Sequence, residues 1–133
     1  MNNLLDQKFT YFISEKSPIL IVTLGGKILR STNQILDQCF TDVSTKDFSW
    51  AVLNFQGVSE IDLPSITHLA KFQKMIRNKP AQLKVCSLAH SLEQLLREQC
   101  LLRTEELALD LVSALKFISA NSFFQNTEKA AAT

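Results

Sequence analysis

A strand, a turn and a helix follow one another in residues 50–76, WAVLNFQGVSEIDLPSITHLAKFQKMI, and this segment constrains the fold most. Residues 50–55 are almost all apolar, which indicates a buried strand. Residues 57–61 are predicted to form a turn, and the pattern after them predicts a long amphipathic helix. Such a junction brings backbone amides and side chains together at a helix start, where a switch or a docking surface can form.

The start of this helix is specified by its own residues. Asp62 is expected to cap the helix by accepting the backbone amide of Ser65. Pro64 suits the first turn because it lacks an amide hydrogen that would otherwise be unpaired. His68 is expected to face solvent. The predicted buried stripe consists of Ile66, Leu69, Ala70, Gln73 and Ile76.

Strand and helix patterns alternate along the rest of the chain. Strands are predicted at residues 8–14, 19–24, 50–55 and 82–88, with at most a short fifth strand at residues 101–104. Helices are predicted to follow the N-caps Ser31, Asp62 and Ser91, and a last helix to begin at Glu105. Gly25 and Gly26 are expected to end the second strand, whose continuous apolar run is typical of a parallel sheet covered on both faces. The pattern therefore predicts an α/β fold with a partner surface beyond the carboxyl ends of its strands.

The composition indicates one folded domain. The chain has 133 residues, of which 46% are hydrophobic and 20% charged, and this excludes disorder for most of it. Residues 9–118 are the predicted core, and residues 119–133 a partly ordered extension in which Phe123 and Phe124 could fold back onto apolar surface. A net charge of +1 gives no field that favours nucleic acid or an anionic membrane. No signal peptide or membrane-spanning run is recognised, so a cytoplasmic location is expected.

The residues that could carry catalysis or bind a metal form no recognisable motif. Cys39, Cys86 and Cys100 are far apart, contain no C-x-x-C pair and are expected to be buried reduced thiols. His68 and His90 lack metal-ligand spacing to each other or to a cysteine. The expectation is therefore no catalytic residue, no metal and no cofactor. The basic residues Lys71, Lys74, Arg77 and Lys79 read as a solvated face that an acidic protein partner could use.

Three segments in this order, LIVTLGGKI, VLNFQGVSEIDLPSITHL and LKVCSLAHSLEQLLREQCL, resemble the STAS domains, the anti-sigma factor antagonist family. The resemblance covers about residues 9–118. It implies a mostly parallel sheet of four to five strands with an antiparallel first strand. It also implies about four helices packed chiefly on one face of that sheet.

The same resemblance implies a function in protein binding. Bacterial members of the family bind a serine kinase anti-sigma factor, and phosphorylation of the Ser or Thr directly after the Asp that matches Asp62 controls the binding. Here that position is Leu63, which cannot accept phosphate. Ser65 and Ser59 are the nearest replacement hydroxyls, and Ser65 is the candidate phosphorylation site, although a serine at its position is common at helix starts for local reasons. Leu63 is expected to pack against Val58 or Ile61, with a role as an exposed binding anchor as the alternative.

The sequence thus predicts a non-enzymatic interaction module of a bacterial cytoplasm. Its partner would be a serine kinase anti-sigma factor or other STAS proteins, with no nucleic acid, no membrane insertion and a homodimer as a further option. The alternative is a structural STAS subunit of a stressosome-like scaffold or of a lipid-transport ABC complex. The predicted partner-binding residues are Ser59, Glu60, Asp62, Leu63, Ser65 and His68.

Overall fold

A computed structural model describes the backbone of residues 8–132 and the side chains of residues 8–121. Over this range the chain forms one five-stranded sheet in the order β1-β2-β3-β4-β5. The strands are β1 Thr10–Lys16, β2 Ile19–Ile28, β3 Trp50–Ile61, β4 Gln82–Cys86 and β5 Leu107–Ala108. The helices are α1 Asn33–Ser44, α2 Leu63–Arg77, α3 His90–Glu98 and α4 Leu111–Ala132, with 3-10 helices at Arg30–Thr32 and Thr104–Glu106. β1 pairs with β2 antiparallel and all other pairs are parallel, so the predicted fold class is confirmed.

The sheet has a larger core on one face and a smaller one on the other. Residues of α1, α2 and α3 pack with alternate residues of the strands in the larger core, which contains Leu20, Val22, Leu36, Leu53, Phe55, Leu69, Phe72, Val85 and Leu96. α4 covers the opposite face, where Ala114 and Ile118 pack with Ile21, Trp50 and Val52. Helices therefore pack chiefly on one face, as the resemblance implied. The fold-back predicted for Phe123 and Phe124 lies outside the described side chains.

Gly25 and Gly26 do not end β2, which continues to Ile28. Gly25 lies opposite Gly57 of β3. A Cβ atom built on Gly57 would lie only 3.0 Å from the Cα atom of Gly25 and 3.2 Å from the carbonyl oxygen of Leu24. The absence of a side chain at Gly57 thus allows β2 and β3 to approach each other closely. This is why the prediction of a strand end was wrong.

The turn predicted at residues 57–61 is also wrong, because β3 extends without a break to Ile61. This part of β3 pairs with the end of β2, with Val58 opposite Gly26 and Ile61 opposite Ile28. Val58 and Ile61 each have only 5% of their surface exposed. The burial of these two side chains and the backbone pairing with β2 keep residues 57–61 extended, although their polar residues suggested a turn. Asp62 therefore follows directly on a strand of 12 residues.

Two predicted N-caps are wrong. Ser31 lies within the first 3-10 helix, and α1 begins after it at Asn33. The N-terminal end of this 3-10 helix is stabilised by Thr32, whose Oγ1 atom accepts the backbone amide of the N-cap residue Leu29 at 3.0 Å. Ser91 lies inside α3, whose N-cap is Ala89.

The region after α3 also differs from the prediction. Residues 101–104 form no strand, and the fifth strand lies at Leu107–Ala108 instead. Glu106 forms an ion pair with Arg77. This ion pair stabilises a 3-10 helix at the place where the last α-helix was expected to begin. α4 begins at Leu111, and Asp110 caps it by accepting the amide of Ser113 at 2.8 Å. Among the helices of residues 8–132, none combines the length and apolarity that crossing a membrane requires.

Candidate functional site

Asp62 occupies the junction between the carboxyl end of β3 and the start of α2. Its Oδ1 atom accepts the backbone amide of Ser65 at 3.0 Å, so the predicted N-cap is confirmed. Its Oδ2 atom accepts the amide of Arg30, the first residue of the 3-10 helix after β2, at 2.8 Å. The backbone amide of Asp62 in turn donates to the carbonyl of Ile28 at 3.1 Å. One carboxylate therefore ties the start of α2 to the end of the neighbouring strand.

The hydrogen bonds to Asp62 favour its ionised form. Partial burial opposes ionisation, but the hydroxyl of Ser65 and the amides of Arg30 and Ser65 outweigh it and lower the pKa of Asp62 below its ordinary value. The guanidinium charge of Arg30 acts in the same direction. The site therefore holds a carboxylate at neutral pH, which suits a cap and gives no sign of an acid or base poised for proton transfer.

Ser65 is completely buried, with 0% of its surface exposed. Its Oγ atom lies 2.5 Å from Oδ1 of Asp62 and 2.9 Å from Oδ1 of Asn33, the first residue of α1. A hydroxyl has one hydrogen, so it donates to one of these oxygens at a time, and the charged carboxylate is the stronger acceptor. Phosphorylation of Ser65 would require this hydroxyl to leave both partners and become exposed.

Leu63 stands on the first turn of α2 with 64% of its surface exposed. The expectation that it packs against Val58 or Ile61 is wrong, because local packing would cover most of this side chain. A leucine this exposed is an apolar projection beside the carboxylate of Asp62. Leu63 is therefore accessible to solvent, and its role as a binding anchor stays a prediction.

The other predicted site residues are Ser59, Glu60 and His68, and two of them interact with side chains outside this turn. Ser59 and Glu60 are exposed on β3, and Glu60 pairs with Lys27 of β2 at 3.7 Å. His68 is half-buried, and its Nδ1 atom lies 3.0 Å from Oδ1 of Asp37 in α1. Asp62, Leu63 and Ser65 thus form one connected turn. Direct hydrogen bonds do not join Glu60 or His68 to it within the described residues.

Sequence reasoning missed two contributors to the site, Arg30 and Asn33. The amide of Arg30 and the side chain of Asn33 each bond across 32 positions in the sequence. A backbone amide has no residue signature, and Asn33 lies in an ordinary helix-start pattern. Only the parallel pairing of β2 with β3 could have indicated that their carboxyl ends meet here.

The predicted cationic face is smaller than expected. Lys71 and Lys74 are exposed on α2, but Arg77 is held by Glu106 with an N–O distance of 2.6 Å. Lys79 donates to the carbonyl of Ser44 at 3.1 Å and thereby covers the end of α1. Two of the four basic residues therefore stabilise the fold.

The thiols and imidazoles form no reactive cluster. Burial raises the pKa of Cys39 to about 12, with a further contribution from Asp42, so this thiol stays protonated at neutral pH. Cys86 is buried as well, whereas Cys100 is exposed in the turn after α3, so the expectation of three buried thiols was wrong there. The positive φ angle of Cys100, 59°, keeps it in a turn outside the core. Among the described side chains, those of residues 8–121, no group of three or more His, Cys, Asp or Glu could hold a metal ion.

Comparison with known proteins identifies the family. The family model of the STAS domain matches residues 13–130. No curated protein sequence matches the chain.

Three solved structures illustrate the likeness of fold. An anti-sigma factor antagonist from Mycobacterium paratuberculosis is 17% identical, with a TM-score of 0.72 over 85% of this chain and 96% of that one. The anti-sigma factor antagonist SpoIIAA in its unphosphorylated form is 10% identical, with a TM-score of 0.66 over 84% and 97%. The murine solute carrier 26 family member A9 anion transporter is 19% identical, with a TM-score of 0.67 over 80% of this chain but 18% of the transporter. At these identities the likeness shows the fold alone, whereas the family match spans most of the sequence. This chain therefore belongs to the STAS domain family.

Proposed function

We propose that this chain is a non-enzymatic protein-binding module that acts as an anti-sigma factor antagonist or partner-switching regulator in a bacterial cytoplasm. The single observation that carries the proposal is the exposure of Leu63 on a helix start fixed by Asp62. The proposed docking turn consists of Asp62, Leu63 and Ser65, with Ser59, Glu60 and His68 around it.

The docking turn has the properties of a pre-formed binding anchor. Hydrogen bonds from Ser65 and Arg30 hold the Asp62 carboxylate, so little conformational freedom remains to be lost when a partner binds. Burying one leucine side chain at an interface contributes about 1.5–3 kcal/mol. The exposed Leu63 can therefore supply much of the affinity of a transient complex.

The regulation we propose differs from the family's phosphorylation switch. Leu63 has no hydroxyl, and the Ser65 hydroxyl is enclosed by Asp62 and Asn33. A phosphate on Ser65 would place nearly two negative charges beside the Asp62 carboxylate and break both contacts. Of the two candidate hydroxyls, exposed Ser59 is the accessible one, and binding through Leu63 does not depend on modification of Ser65.

A second function is a structural STAS subunit of a stressosome-like scaffold or of a lipid-transport ABC complex. The observation that favours it is the same residue, because an exposed leucine where a phosphorylatable residue is usual suits a permanent contact. The partner would then be another STAS protein or a transporter subunit. The two functions share one surface and differ in the partner bound.

Affinity purification from the native cell distinguishes the two functions. Wild type, Leu63→Asp and Val112→Asp are used as baits, since Val112 is 60% exposed on the first turn of α4 and is close to Leu63 in exposure. We expect wild type and Val112→Asp, but not Leu63→Asp, to recover a serine kinase of the anti-sigma type. Recovery of only ABC-transporter subunits or other STAS proteins would reject the first function and support the second. Equal recovery by all three baits would reject the docking turn itself.

Two further measurements complete the test. Incubation with the recovered kinase and ATP, followed by mass spectrometry, is expected to leave Ser65 unmodified, and a phosphate on Ser65 would overturn the regulation we propose. Light scattering of the purified chain determines whether a homodimer forms.

A further inference from the structure

A polar cleft of about 310 Å³ lies at the end of the sheet opposite the docking turn. Trp50 and Gln82, the first residues of β3 and β4 and partners in their register, lie at this end. The second 3-10 helix and α4 complete the walls. The cleft is thus independent of the docking surface proposed above.

Lys84 is a buried cation in this cleft, with only 4% of its surface exposed. Its Nζ atom donates to the carbonyl of Glu105 at 2.6 Å and lies 3.6 Å from the centroid of the Phe117 ring. Neither partner carries a formal charge, and an ammonium has three hydrogens to donate. Within the part of the chain that the structure describes, no carboxylate lies within 4.0 Å of this ammonium. Burial lowers the pKa of Lys84, and the more distant carboxylates of Glu106 and Glu105 only partly offset this effect, so an anion in direct contact with the ammonium would stabilise its charge.

The other charged residues of the cleft leave one positive charge in excess. Arg77 donates to both carboxylate oxygens of Glu106, at 3.0 and 2.6 Å, so these two charges neutralise each other. Arg103 is exposed and forms no ion pair among the described side chains. The exposed side chain of Glu105 compensates only one of the two remaining cations, Lys84 and Arg103.

We propose that this cleft binds one small oxyanion, a phosphate or a carboxylate, between the ammonium of Lys84 and the guanidinium of Arg103. A guanidinium presents paired N–H donors that match the geometry of both groups, and the ammonium adds a charge-assisted bond from a position shielded from water. The rings of Trp50 and Phe117, whose centroids are 6.0 Å apart, supply an apolar wall beside the anion.

An NMR titration of the full chain tests this site. Amide shifts are followed while sodium phosphate, sodium acetate or sodium chloride is added at constant ionic strength. We expect phosphate, acetate or both to give saturable shifts at Lys84, Arg103 and Phe117, with half-saturation at or below about 10 mM. A response to only one of the two identifies the source of the oxyanion.

Three variants determine which residues bind the anion. Lys84→Met keeps the length and apolar stem of the side chain and is expected to abolish the saturable shifts. Arg103→Gln is expected to weaken binding at least fivefold, and because Arg103 is exposed this variant remains informative even if Lys84→Met fails to fold. Lys71→Gln, at an exposed lysine of α2, is the control and is expected to bind as wild type. Chloride shifts equal to those of both oxyanions, or wild-type binding by Arg103→Gln, would overturn the proposal.

Discussion

The side chain of Asp62 fixes the geometry of the docking turn through its hydrogen bonds. Its two carboxylate oxygens accept donors from separate parts of the chain, Ser65 on α2 and Arg30 after β2. An N-cap contributes about 1 kcal/mol, and the bond to Arg30 adds a link between two elements. The residue that resemblance associates with a switch is therefore also a structural one here.

The stabilisation by Asp62 is expected to depend on pH. Its pKa is lowered in the folded chain, so the carboxylate stabilises the fold fully above its unfolded pKa of about 4, and this is lost as pH falls through the folded pKa. Urea denaturation from pH 6 to pH 3 is expected to show wild type more stable than Asp62→Asn at pH 6, with the difference shrinking below about pH 4. A difference that stays constant over this range would contradict the assignment.

Gln73 is an exception within the larger core. It is fully buried on α2, and neither its Nε2 nor its Oε1 atom has a hydrogen-bond partner among the described residues. An unpaired buried amide costs about 1–3 kcal/mol, so Gln73→Met is expected to raise the free energy of unfolding by a similar amount. Gln34, an exposed glutamine of α1, provides the control, and Gln34→Met is expected to change stability by less than about 0.5 kcal/mol. A loss of stability in Gln73→Met would show that the amide is satisfied in solution.

At the scale of elements, the contact between β2 and β3 positions the docking turn. Both strands continue past Gly25 and Gly57, so the backbone amide of Arg30, just after β2, reaches Asp62 at the end of β3. This extension depends on the close approach of the two glycines.

Gly57→Ala is expected to destabilise the fold by about 1–3 kcal/mol, because the atoms that the new Cβ would contact belong to the backbone and cannot rotate away. Gly25→Ala is the matched control. Its Cβ would have ordinary contacts of 3.5 Å to Thr10 and 3.9 Å to Gly57, so a smaller loss is expected in thermal or urea denaturation. Equal losses for the two variants would contradict this account of the strand contact.

The same elements show which structural features could be read from the sequence. The start of α2 was predicted correctly because a cap, a proline and an apolar stripe are local signals. The extent of β2 and β3 was not, because glycines and polar residues normally indicate a turn, and only pairing between distant strands keeps them extended. The late start of α4 depends on the ion pair of Glu106 with Arg77, which lies 29 positions away and has no local signature.

At the scale of the whole molecule, the two regions that we propose to bind partners or ligands lie at opposite ends of the sheet. The carboxyl end of β3 carries the docking turn, and the starts of β3 and β4 border the oxyanion cleft. Strand and helix alternation predicted this α/β architecture and the position of Asp62 at the carboxyl end of a strand. The exposure of Leu63 was one of two alternatives, because an apolar residue on the first turn of a helix can either pack locally or face solvent.

The affinity of the purified partner for wild type, Leu63→Asp and Val112→Asp, measured by calorimetry, tests the central claim most directly. A buried leucine contributes about 1.5–3 kcal/mol, so Leu63→Asp is expected to weaken binding at least about tenfold. Val112→Asp is expected to bind as wild type, and circular dichroism should show all three chains folded. Equal affinity of wild type and Leu63→Asp would contradict docking through the start of α2.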